Sequence, residues 1–96
     1  MTQKVTITTE APVALRQLLE SAVRTELRML ELGLERTDER LGHFEAQFGM
    51  DSGEFMRRYN AGQIEENLDL IEWAGEVKTR EILRAQRQAL QEVRFS

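Results

Sequence analysis

The sequence predicts an all-α fold: a long antiparallel helical hairpin with a short helix at the corner, plus a short N-terminal β-strand that can pair between subunits. Three observations carry this reading. Val23, Leu27, Leu30, Leu34, Thr37, Leu41, Phe44 and Phe48 are spaced alternately four and three apart, the a/d pattern of a helix packed lengthwise on another. A helix stop followed at once by a helix start lies around Gly49 and Asp51. The composition, 41% hydrophobic and 31% charged with six glycines and one proline, is that of a helix-rich globular chain rather than a disordered one. At 96 residues the chain has material for one core, so a single domain spanning 1–96 is expected.

Residues 1–9 read as a strand or a tail. In Lys4 to Thr9, β-branched Val5 and Ile7 alternate with Thr6 and Thr8, the pattern of a short strand with two faces. A lone strand leaves its backbone groups unpaired, so it must pair with a second subunit, join a partner's sheet, or fray. Thr9 is placed to cap the helix predicted over 10–48, with Pro12 in the first turn, where a missing N–H costs nothing. Leu15, Leu18, Leu19 and Ala22 widen the apolar face at the helix start. Gly49 should end this helix in a left-handed conformation. Asp51 should cap the amide of Glu54, Glu54 should reach back to Asp51, and Met50 should pack on Phe55. The short helix is expected over 52–61, closed by Gly62, and the last helix over 65–94. The apolar side of the last helix runs from Leu68, Leu70, Ile71, Trp73, Ala74 and Val77 to Ile82, Leu83, Ala85, Ala89, Leu90 and Val93, flanked by Arg80, Arg84, Arg87 and Arg94.

Chemistry narrows the function classes. With no cysteine, neither disulfides nor thiolate chemistry is available, and no stretch resembles a secretory leader or a membrane-crossing run, so a cytoplasmic location is expected. The net charge of −4 argues against nucleic acid as the main ligand. Glu39 and His43 lie one helical turn apart, but a single such pair is common and no nucleophile set accompanies it. Gly49 to Gly53 lacks the lysine and glycine spacing of a phosphate loop. No catalytic residue, cofactor or metal is therefore assigned, and the chain is expected not to be an enzyme.

The segment Phe44-Glu45-Ala46-Gln47-Phe48-Gly49-Met50-Asp51-Ser52-Gly53-Glu54-Phe55-Met56-Arg57-Arg58, followed by Gly62 and then Asp69-Leu70-Ile71-Glu72-Trp73, resembles a family of small helical prokaryotic proteins. These carry an F-E-x-x-[YF]-G-M-[SD]-S-x-E-F block, a glycine, an acidic stretch and an E-W pair before a charged last helix. The likeness covers about a third of the chain and departs from the pattern at Gln63-Ile64-Glu65-Glu66-Asn67, where relatives carry a Gly-Glu-Leu-Gly-Asp-like run. Members are often encoded beside toxins of the TumE family and are treated as their antitoxins. The resemblance thus implies a protein that neutralises a co-encoded toxin by direct binding.

Candidate binding residues follow from the exposed chemistry expected of such a chain. Val5, Ile7, Leu15, Leu19, Val23, Leu27, Leu30 and Leu34 are the expected oligomer or partner interface, in a dimer or tetramer, with the seam filled by the last helix or by another chain. Glu65, Asp69, Glu72 and Glu76 recur on one side of the last helix, read either as a solvated acidic face or as a ridge that meets a basic partner. Phe44, Phe48, Phe55, Tyr59 and Trp73 are expected to be core at the corner. Arg57 and Arg58, and Lys78, Arg80, Arg84 and Arg87, form basic patches diluted by Glu76 and Glu81. The alternatives to a toxin partner are a structural homo-oligomerisation module and a DNA-binding autoregulator using the N-terminal strand.

Overall fold

In the computed structural model, which describes residues 4–95, three helices follow in order: α1 (Pro12–Phe48), α2 (Ser52–Asn60) and α3 (Leu68–Gln91). Helix α3 packs back along α1 as an antiparallel hairpin, and α2 packs on α3 at the corner. The buried residues Leu30, Leu34, Thr37 and Leu41 continue the predicted heptad stripe, so the seam over these turns is closed by α3 of the same chain. Across from them, α3 buries Leu70, Trp73, Ala74 and Val77. The densest packing lies at the corner, where Leu41, Phe55, Leu70, Trp73, Ala74 and Val77 form one cluster edged by Phe44, Met50, Met56, Tyr59 and Ile64.

Each helix end has an identifiable cause. Gly49 stops α1 with φ 63 and ψ 35, a left-handed conformation that glycine adopts without the clash a β-carbon would bring. Its N–H donates to the Glu45 carbonyl at 2.9 Å. The Asp51 carboxylate accepts from the Glu54 amide at 2.8 Å, as expected of an N-cap. The return half of that capping box is not made. Glu54 turns instead to Arg57 and Arg58, and Glu45 reaches over from α1 to accept from the Ser52 amide at 2.8 Å. Asn67 caps α3 by accepting from the Leu70 amide at 3.0 Å, which sets its start at Leu68 rather than residue 65.

The N-terminal expectations need correction. Lys4 to Thr9, the predicted strand, has no regular secondary structure, while residues 1–3 of that segment lie outside the described residues. A strand is held by ladder hydrogen bonds to a neighbour, and an all-helical chain offers none. Thr9 does not cap α1 either. The N-cap position is Ala11, which has no capping side chain, and Thr9 lies too far upstream to reach the first helical amides. Its hydroxyl accepts from the Ala11 amide at 3.2 Å, a local turn that precedes the helix.

Two cross-helix ion pairs flank the contact between α1 and α3: Arg40 with Glu76 at 3.3 Å, and Asp38 with Arg80 at 3.9 Å. Further along, Leu83 packs over Gly33, its Cδ1 3.4 Å from where a β-carbon would stand. From that contact α1 runs back 21 residues to Pro12, whereas α3 has only eight left before Gln91. At 1.5 Å per residue, α1 therefore overshoots its partner helix by about 20 Å.

Candidate functional site

The corner is built around Trp73, which is 1% exposed. Phe55 stacks on its indole with centroids 3.9 Å apart and planes 3° from parallel, and Phe44 and Phe48 stack on it at 5.8 and 5.5 Å. The indole N–H donates to the Ser52 hydroxyl at 3.0 Å, so a buried polar group on α3 is satisfied by the first residue of α2. Tyr59 tilts against Phe55 and donates its hydroxyl to Glu66 at 2.6 Å, which raises the Tyr59 pKa above 10.0. Glu45, Gly49, Asp51, Ser52 and Phe55, all within Phe44 to Arg58, are thus residues that fasten this corner.

Charged groups gather beside it. The paired guanidinium groups of Arg57 and Arg58 hold the Glu54 carboxyl down at about 2. Of the expected acidic row, Asp69 and Glu72 are exposed on α3. Glu76 is half-buried and turned to Arg40, and Glu65 lies in the connection before α3. The four do not form one helical ridge. Glu72 and Glu76 instead share a groove of about 640 Å³ with Arg40, His43, Phe44, Gln47 and Thr79, between α1 and α3 near the corner. Among the described residues no group of three His, Cys, Asp or Glu side chains converges as metal ligands would, and no helix is long and apolar enough to cross a membrane.

A second groove, also about 640 Å³, lies at the other end of the hairpin, where α1 overshoots α3. Leu15, Leu19 and Val23 line it from α1, Val5 and Ile7 from the N-terminal segment, and Val93 and Phe95 from the C-terminal segment. Arg16 ties the last of these down by donating to the Phe95 carbonyl at 2.6 Å. Five of the eight residues expected at an interface, Val5, Ile7, Leu15, Leu19 and Val23, are therefore brought together in one apolar depression. Leu27 is half-buried beside it, while Leu30 and Leu34 are closed under α3. Sequence reasoning did not assign Phe95 a place, because a single aromatic residue at the edge of a helical pattern carries no period.

The fold and its surfaces define a helical hairpin with a sealed aromatic corner and an open apolar end. No protein family, curated protein or solved structure matches the chain.

Proposed function

We propose that this protein is a non-enzymatic binding module for another protein, an antitoxin-like partner that neutralises a co-encoded toxin by occluding it. One observation supports the binding reading above the others: the chain leaves 7643 Å² accessible. A compact monomer of 11.2 kDa exposes roughly 5,700 Å². Large apolar side chains contribute to this surface, with Leu18, Met29, Leu68, Ile71 and Ile82 each about half exposed or more. Association with a partner would cover part of this surface and so favour the folded chain.

The toxin partner comes from the family-like block of Phe44 to Arg58 with Glu72-Trp73. For such a partner the corner supplies the charge: Asp69 and Glu72 on α3 suit a basic surface, steering encounter through long-range attraction. Co-expression with the protein encoded next door tests this. The reading expects a stable complex and rescue of growth, with Asp69→Lys combined with Glu72→Lys weakening capture at least tenfold. Separate elution of the two proteins with no rescue would remove the toxin reading. A salt-dependent shift of the operon's promoter DNA by this chain alone would replace it with the autoregulator.

A further inference from the structure

Helix α3 has two faces with apolar residues, and α1 covers one of them. Away from the buried line of Leu70, Trp73, Ala74 and Val77, the residues Leu68, Ile71, Gly75, Lys78, Ile82 and Ala85 follow at alternate spacings of three and four, the a/d pattern of a helix packed lengthwise on another. Gly75 stands two positions from both Trp73 and Val77, which places it about 200° round the helix from each. All six residues of the outer line are exposed, Leu68 at 71%, Ile71 at 49% and Ile82 at 58%. We propose that a second copy of this chain closes this face, with the two α3 helices antiparallel about a twofold axis at a level between Gly75 and Lys78. Leu68 of each copy then meets Ala85 of the other, Ile71 meets Ile82, and Gly75 meets Lys78.

Three observations point to a second copy rather than to a foreign helix. The outer line is its own complement when reversed: leucine falls on alanine, lysine on glycine, and a pair of isoleucines lies between them. A twofold contact uses one patch on both copies, so it requires this match of large with small. Gly75 is the second observation. Glycine inside a helix is destabilising relative to alanine, yet beyond its own helical turn nothing lies within 4 Å of where a β-carbon would stand. Packing within the chain gives no reason for the glycine, whereas the apolar stem of a second copy's Lys78 fills that room.

Charge is the third, and it also selects the direction. Lys78 takes part in none of the ion pairs among the described residues. Laid over Gly75 of the other copy, its ammonium comes within a turn of that copy's exposed Glu72. A parallel pairing would instead set Lys78 against its own counterpart. Asp69 stays outside the outer line, and the pairing stands apart from the toxin reading because its tests use this chain alone.

Light scattering on the full chain over a range of concentrations should find a mass of twice 11.2 kDa. Ile82→Glu should return it to 11.2 kDa with helicity unchanged, since Ile82 lies outside the core. Gly75→Leu reads the glycine directly. Filling the room under Lys78 should raise the dissociation constant of the pair roughly tenfold or more, while a glycine with no partner above it would leave the mass as it is. The chain has no cysteine, so Lys78→Cys should be joined to its counterpart by a short bismaleimide, and Met29→Cys, exposed on α1, should not. A mass of 11.2 kDa at every concentration, an assembly that survives Ile82→Glu or Gly75→Leu, or linkage through residue 29 and not 78 would overturn the pairing. So would a chain that stays monomeric alone and covers Ile82 only with the neighbouring protein.

Discussion

Trp73 holds three elements together: its ring is covered by Phe55 of α2 and by Phe44 and Phe48 of α1, and its N–H is taken up by Ser52. Replacing it with Phe removes the donor and part of the stacked surface. Trp73→Phe should therefore lower stability by about 2 kcal/mol, read from the urea midpoint. Glu54 gives a second prediction at this scale. Its carboxyl is lowered from 4.5 to about 2, first by its hydrogen bonds to Arg57 and Arg58. A group depressed on folding stabilises the fold above its unfolded value and ceases to do so as pH falls through the folded one. The Glu54 contribution should thus be complete above about pH 4.5 and fade toward pH 2, and a carboxyl NMR titration should find its midpoint near 2. A midpoint near 4.5 would mean that the fork to the two arginines is not held in solution.

At the scale of the element, the left-handed Gly49 sets where α1 stops and α2 can fold over. Gly49→Ala should cost about 1 kcal/mol, measured by thermal or urea unfolding, because the conformation is unfavourable for any residue with a β-carbon. Leu30→Glu with Leu34→Glu places two carboxylates in the closed part of the seam, and should abolish most of the helical circular dichroism. The α1 stripe and the Gly49 to Asp51 boundary were legible in sequence because period and capping are local signals. The strand over Val5 to Thr9 was not, since alternation describes a surface that fits a sheet and does not supply the sheet. Helix α3 was half legible. Its inward line passes through Val77, Arg80, Leu83 and Arg87 rather than keeping to hydrophobic residues, and Ile71 and Ile82 face out. Arginine stems can lie along apolar surface while their heads reach a partner, as Arg80 does toward Asp38, so a reading by hydrophobicity alone rotates the helix.

The molecule as a whole is a rod, 58 by 25 by 18 Å, with a radius of gyration of 18.5 Å where a compact chain of this length has about 12 Å. Its two ends differ in chemistry: charged and aromatic at the corner, apolar where α1 overshoots. Partner capture through Asp69 and Glu72 should accordingly weaken as salt is raised from about 0.05 to 0.5 M, while capture through apolar surface should be nearly indifferent to it. Titrating sodium chloride in a binding assay separates the two. The groove was only partly foreseeable: the leucine spacing located its α1 side. That α3 would stop short, and that Val5 to Thr9 and Val93 to Phe95 would come to lie there, are properties of three-dimensional length that no local pattern encodes.

The single tryptophan of the chain is enclosed at the one place where all three helices meet. The protein thus carries an intrinsic fluorophore whose emission reports that junction and nothing else, so no dye is needed to watch it. Helical signal lost before the emission shifts to the red would mean that melting begins at the overhanging tip and reaches the junction last.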